Sequence, residues 1–285
     1  ALHGGKIDDL LETLQSFQVV EPAPDAVNAL VLAANTGVFV LDALGRIGES
    51  NEVMDLIERF CEVLGPIREQ RSIAAALWRI DRAVRDSYTL EDPWGGLEHA
   101  QAALRLCEEL NHTVLLTFAQ GCHGMNLWYL GALAEAEQVL GVGTPKDDEL
   151  GTIASMWLFA LAWLHADRGA LAEARRTAER LLELGQARHL FLEEGRGHWA
   201  VAEVLRRERD LEGAEREIHA ALGIIAMVAP QDSPSVLSTL CFIRLAQGRV
   251  AEALTTAEDA FARYNAMQTC GFFRAAFVRL AHAEA

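Results

Sequence analysis

The sequence predicts an all-α array of antiparallel helical hairpins, and three observations carry that expectation. Apolar residues recur at helical spacing in paired stretches. Long strand-like alternations are missing. Alanine and leucine recur throughout a chain of 285 residues that is 51% hydrophobic and holds only seven prolines, most of them between helical patterns. The stretch 151–185, GTIASMWLFALAWLHADRGALAEARRTAERLLELG, shows the unit. Leu158, Leu161, Ala162 and His165 fall on one helical face, and after Gly169 so do Leu171, Ala174, Ala178 and Leu181. Small residues at the expected crossing, Ala162 and Ala174, let the two backbones approach closely.

In chain order, residues 6–17 read as a short leading helix with Leu10, Leu11 and Leu14 on its stripe, broken by EPAPD. Asp25 is placed to cap a long helix carrying Val27, Leu30, Val31, Ala34, Val38 and Leu41, with Gly45 and Gly48 at its end. Ser50 is expected to cap the next helix, whose stripe is Val53, Leu56, Ile57, Phe60 and Val63 and whose stop is Gly65-Pro66. Ile73, Ala76, Leu77, Ile80, Ala83 and Val84 mark a helix whose partner, with Leu97, Ala100, Leu104 and Cys107, starts near Trp94 after an irregular SYTLEDPW segment. Regular hairpins follow: 113–130 with 132–140, the 151–185 pair, 192–208 with 211–227, and 234–247 with 250–267. A last helical pattern, 271–284, lacks a partner and is expected to cap the stack.

Self-alignment supports the repeat. An alanine early in each second helix falls at Ala100, Ala136, Ala174, Ala214 and Ala253, at intervals of 36, 38, 40 and 39. Glycines stand five residues before four of these, at Gly95, Gly131, Gly169 and Gly248, with Arg209 in the remaining unit. The intervals lie just above the period of about 34 residues of the tetratricopeptide repeat, which the array from Gln70 to Tyr264 resembles. The family's tryptophan near the start of the first helix and proline after the second are mostly absent. The alanine-rich style is also similar to the repeat arrays of large bacterial regulatory ATPases and protein kinases. The resemblance implies a right-handed superhelix over a single domain, 1–285. Within it, 1–66 forms a leading helix and degenerate hairpin, 67–268 the repeats, and 269–285 a capping helix.

Charge and cysteine content narrow the function classes. With 25 basic and 41 acidic residues the formal charge is −16, which disfavours nucleic acid and anionic lipid as partners. Residues 26–44 are interrupted by Asn28, Asn35, Thr36, Gly37 and Asp42 and are no membrane span. The start, ALHGGKIDDLL, carries neither a secretory leader nor an initiator methionine, so a piece of a longer cytoplasmic protein is expected. Cys61, Cys107, Cys122, Cys241 and Cys270, odd in number and set mostly in helical patterns, are expected as buried, reduced thiols.

In tetratricopeptide arrays the first helix of each unit lines a concave groove. The resemblance therefore implies Phe118, Gly121, Met125 and Trp128, then Met156, Phe159, Trp163 and Ala166, then Arg196, Trp199, Glu203 and Arg206, and finally Phe242 as groove positions, with Tyr129 beside Trp128. These side chains either anchor a peptide or helix or bury one another in a tight superhelix. Arg196, Arg206 and Arg207 beside Trp199 suggest an anion site, against which stand Glu203 and Glu212 as local counter-charges. The family's two-carboxylate clamp needs lysine and asparagine where this chain has Phe159, Trp163, Gly121 and Met125. No metal or cofactor is expected: His123, His165 and His198 occupy packing positions, no paired CxxC or HExxH occurs, and GVGTPK at 141–146 lacks the spacing of a phosphate loop. Acidic pairs such as Glu108-Glu109 sit at helix ends. With no nucleophile–base constellation in sight, the reading is a noncatalytic interaction or sensing module that binds a protein or peptide segment in its groove. The alternative is a receptor for a peptide or small apolar ligand.

Overall fold

In the computed structural model the described residues are 9, 12–13, 23, 26–43, 46–62, 71–143, 151–271, 273 and 275–285. They form thirteen helices and no strand: α1 (Val27–Ala43), α2 (Ile47–Glu62), α3 (Ile73–Tyr88), α4 (Pro93–Glu109), α5 (Thr113–Tyr129), α6 (Leu133–Gly143), α7 (Gly151–Asp167), α8 (Leu171–Arg188), α9 (Phe191–Arg207), α10 (Leu211–Val228), α11 (Ser233–Ala246), α12 (Val250–Met267) and α13 (Ala275–Glu284). A short 3-10 turn, Pro230–Asp232, leads into α11. Consecutive helices pair as hairpins, and the odd-numbered helices α1 to α11 stack on one another as an inner row. The even-numbered helices form the outer row. This is the expected all-α solenoid of hairpins.

The two rows differ because their sequences differ. Inner helices are apolar nearly all round, as in WLFALAW of α7, and a helix of that kind is stable only when covered on several sides. Accordingly α9 and α11 bury most of their residues, including polar ones, whereas α8 buries the single stripe Ala174, Ala178, Leu181 and Gly185. The alanines found by self-alignment, Ala100, Ala136, Ala174, Ala214 and Ala253, are all fully buried. Each lies three residues into its helix except Ala100, which lies seven residues in.

That exception corrects the alignment. Gly131, Gly169 and Gly248 have φ of 80°, 76° and 78°, and Arg209 accepts the same left-handed conformation at 70°. There the turn closes with two backbone bonds, as from Gly169 N–H to the Ala166 carbonyl and from Ala170 N–H to the His165 carbonyl. Gly95 plays no such part, since it lies inside α4, where its N–H donates to the Asp92 cap. The left-handed residue of that hairpin is Glu91, at 54°.

Several boundaries also move. The irregular segment before Trp94 shrinks to residues 89–92, because Ser87 and Tyr88 complete α3 as buried residues. Ser50 is no cap: α2 begins at Ile47, and the buried Ser50 hydroxyl accepts from Arg85 Nη1 at 3.1 Å. The final helix starts at Ala275, not at 271, and packs against α11 and α12. Most of the leading helix at 6–17, together with Asp25, Gly45, Val63, Gly65-Pro66 and most of 141–150, lies outside the described residues.

Two contacts bend the row back on itself. Helix α1 touches the Pro230–Asp232 turn, and Glu91 between α3 and α4 binds both Arg279 of α13 and Tyr264 of α12, with Tyr264 Oη donating at 2.9 Å. The inner face is therefore an enclosed interior.

Replacing Ala174 by leucine forces three more heavy atoms toward α7 at a fully buried crossing and should cost about 1–3 kcal/mol in denaturant unfolding. Leu254→Ala, at an exposed site on the same outer row, should stay within about 0.5 kcal/mol. Equal midpoints for the two variants would contradict the close hairpin contact.

Candidate functional site

The inner face is built from side chains repeating about one unit apart. Trp128 of α5, Phe159 and Trp163 of α7, and Trp199 of α9 converge on one point, and that point is Phe273. Ring centroids lie 5.9, 6.3, 4.6 and 5.1 Å from the Phe273 ring in that order. Trp128, Trp163 and Trp199 are 1, 2 and 1% exposed, and Phe273 is 1% exposed. Edge and tilted geometries at these separations are the favourable ones for aromatic pairs. Phe277, 5.1 Å from Phe273, carries the cluster to Phe242 at a further 5.1 Å.

The indole N–H groups explain how these tryptophans tolerate burial. Trp128 Nε1 donates to Asp167 at 2.8 Å, and Trp199 Nε1 donates to the Thr239 hydroxyl at 2.8 Å, each partner lying one repeat further on. Asp167 also accepts from Arg207 at 2.6 Å, and Arg207 reaches Glu203 at 2.6 Å, which Arg206 binds at 2.8 Å. Burial disfavours the Arg207 charge, but Glu203 and Asp167 outweigh it and hold its pKa above the ordinary value. Trp163 Nε1, by contrast, is buried with no hydrogen-bond partner, as are the side-chain amide of Gln231 and the Ser233 hydroxyl beside it.

The groove positions drawn from the resemblance separate into groups. Trp128, Phe159, Trp163 and Trp199 share the cluster around Phe273. Phe118 turns instead to Trp157 at 5.9 Å, whose ring lies where a side chain on Gly121 would be, so the glycine serves this close approach. Met125 Sδ accepts from Tyr88 Oη at 3.4 Å, and Tyr129 sits between Tyr88 and Trp128 at 5.4 and 5.0 Å. Met156 borders the same region, which leaves a gap of about 10 Å³, enough for one water at most. Phe242 is half-buried under the Arg206 guanidinium at 5.8 Å. Arg196 lies 5.9 Å from the Phe159 ring and gives two hydrogen bonds, at 2.9 and 3.1 Å, to Asp232 Oδ2.

Two readings that the sequence left open are decided by this geometry. The proposed anion site does not form, because Arg196, Arg206 and Arg207 already face Asp232, Glu203 and Asp167. The aromatic wall is also not an open trough: the chain's own Phe273 packs at its centre, reached through the non-helical residues Thr269, Cys270 and Gly271. Sequence reasoning missed Phe273 and Phe277 because 271–284 read as one helix, although Gly271 followed by two phenylalanines outside any apolar stripe was a visible irregularity. Asp167 and Asp232 were missed as well, since a lone helix-terminal acid carries no sign of its partner.

The histidines are structural in form. His198 Nδ1 lies 2.6 Å from Glu217 and His165 Nδ1 lies 3.3 Å from Glu137, while burial lowers the His123 and His165 pKa values. Among the described residues, no group of three His, Cys, Asp or Glu side chains is placed to hold a metal ion. The five cysteines are free and buried, and burial pushes the thiols of Cys107 and Cys241 up to about 11 and those of Cys61 and Cys270 to about 12. Among the described residues, no helix is long and apolar enough to cross a membrane.

No protein-family model matches the chain, and no curated protein matches it by sequence. Solved structures do. It is similar to a Rap protein complexed with Competence and Sporulation Factor, at a TM-score of 0.66 and 13% identity, over 93% of this chain and 78% of that one. It is also similar to the apo form of RapI, at a TM-score of 0.53 and 12% identity, over 95% of this chain and 79% of that one. These likenesses extend over nearly the whole chain and establish a shared helical-repeat fold.

Trp163→Ala should cost about 3–5 kcal/mol in thermal unfolding, because it opens a cavity in the middle of a buried aromatic cluster. Trp94→Ala, at a position 67% exposed, should leave the midpoint nearly unchanged. The thiols give an independent check: at about pH 8 an aromatic disulfide reagent should find none of them in the native protein and all five after denaturation. Rapid labelling of native protein would show that the interior is not closed as described.

Proposed function

We propose that this chain is a noncatalytic interaction or sensing module, part of a larger bacterial cytosolic regulator, and that it binds a peptide or protein segment against its aromatic inner wall. One observation carries the reading: the wall of Trp128, Phe159, Trp163 and Trp199 already accommodates a non-helical stretch of polypeptide, anchored by a phenylalanine. A surface that packs one such segment has the shape and chemistry to pack another. The Rap protein solved with Competence and Sporulation Factor shows a protein of this fold holding a partner, which supports the same use here.

The rest of the reading follows from composition. A formal charge of −16 supports a protein or peptide partner over nucleic acid, and buried, protonated thiols suit a reducing cytoplasm. The resemblance to arrays of bacterial regulatory ATPases and kinases supports attachment to such a regulator. We read 1–285 as one repeat domain without metal or cofactor.

A displayed library of random peptides, panned on the folded chain, tests the proposal. Enriched sequences should carry an aromatic residue and, in hydrogen exchange, slow the amides of α5, α7 and α9. Trp163→Phe, which keeps most of the ring volume, should weaken them about tenfold. Failure to enrich any peptide, or protection confined to the outer helices, would remove the inner wall as a recognition surface.

A further inference from the structure

The non-helical residues that lead to Phe273 are held by polar contacts of their own. Gly271 is left-handed at φ 68°, and it passes so close to Asp232 that any side chain there would collide with the carboxylate. Asp232 is itself fixed by Arg196. The Ser235 hydroxyl donates to the Cys270 carbonyl at 3.2 Å. Within the stretch, Gly271 N–H donates to the Thr269 hydroxyl at 3.1 Å and the Cys270 thiol reaches the Phe273 carbonyl at 2.9 Å. On the far side Thr269 and Gly271 meet Ile47, Val84, Arg85 and Tyr88 across a gap of about 20 Å³.

Against this fit stand buried polar groups around the stretch that it leaves unsatisfied. Trp163, the ring nearest Phe273, keeps an unpaired indole N–H, and Gln231 and Ser233, on either side of the Asp232 that Gly271 passes, keep buried polar atoms without partners. A settled core pairs such groups, since each one left bare carries its full desolvation cost. The clasp at the outer end of the stretch is correspondingly slight. Arg279 and Glu91 have side chains 46% and 37% exposed, and an ion pair that open to water contributes little. Beside it a cleft of about 150 Å³, lined by Ser87, Glu91, Pro93, Tyr129, Ala275 and Ala276, opens to solvent.

We infer that Thr269, Cys270, Gly271 and Phe273 are a built-in stand-in for the ligand, and that the wall takes in their place a peptide with an aromatic anchor two residues after a glycine or other small residue. This rests on the recognition surface proposed above and names its occupant. The incoming peptide displaces Phe273 from the tryptophans, supplies backbone acceptors and donors to Trp163, Gln231 and Ser233, and releases α13 from its clasp on Glu91. Binding and opening are one equilibrium, so the apparent affinity is the intrinsic one multiplied by the fraction of molecules whose own stretch is out.

The test is fluorescence polarisation with a labelled peptide of residues 267–277, under reducing conditions, against the full chain. Wild type should capture it weakly. The double variant Glu91→Gln/Arg279→Gln, which touches only the exposed clasp, should capture it about threefold more tightly, and Phe273→Ala more tightly still. A peptide with alanine in place of Phe273 should not bind. Should Phe273→Ala fail to fold, the clasp variant decides alone. Equal capture by wild type and a clasp variant of unchanged circular dichroism overturns the inference. Library-selected peptides that bind both proteins alike, and lose affinity in Trp163→Phe, would then leave the recognition surface standing without its stand-in; peptides that bind neither would remove both.

Discussion

Two-sided burial of the inner helices is the constraint on which the rest of the structure depends. A helix in the inner row meets its hairpin partner on one side and the enclosed interior on the other, so both faces must be packed and every polar group between them answered. On the partner side the answer is size, with alanine at each crossing, and between stacked inner helices it is a glycine where Trp157 of α7 presses on α5. On the interior side it is large aromatic area, which stabilises in proportion to the surface removed from water and brings N–H groups that need acceptors. For two of them the repeat supplies the acceptor: Asp167 and Thr239 stand one unit on from Trp128 and Trp199, while the Trp163 N–H stays unpaired. Polar pairing between repeats thus follows from apolar packing within them.

The same constraint governs the charges. The chain is strongly acidic, yet the arginines of the inner row are spent on internal carboxylates. Arg196 and Asp232 form an almost fully buried pair, Arg206 and Arg207 share Glu203, and Arg207 continues to Asp167. Such pairs recover through mutual attraction only part of what their desolvation costs, so their effect lies more in fixing geometry than in adding stability. Asp232, positioned by Arg196, is the surface that Gly271 grazes, and a purely apolar turn there would leave the crossing stretch without a register. An exposed pair does the opposite at Glu91 and Arg279, closing the ring with a contact that water weakens.

How much was legible can be judged from single residues. Ala174 and Gly169 announced the hairpin, since a buried crossing and a left-handed turn each demand a particular small residue, and local demands of that kind are written locally. Gly95 misled because five-residue spacing from an alanine matches both a turn and a residue in the first turn of a helix, and only backbone torsion separates them. Ser50 misled in the same way, a good capping residue used instead as a buried acceptor for Arg85. Trp128, Trp163 and Trp199 were placed on one recurring face by the tetratricopeptide resemblance, but a resemblance of repeats does not say what lies opposite.

By itself, then, the sequence determined the helices, their pairing, the period of the array and the aromatic identity of the inner face, because these depend on residues within one or two turns or one repeat of each other. The tertiary structure decided whether that face meets solvent. The outcome turns on the curvature accumulated over six hairpins, which brings residue 91 to residue 279 and residue 273 to residue 163. Curvature is the sum of many small crossing angles, none of which any single motif encodes, and so the filling of the groove by the chain's own Phe273 became visible only once the whole array was closed.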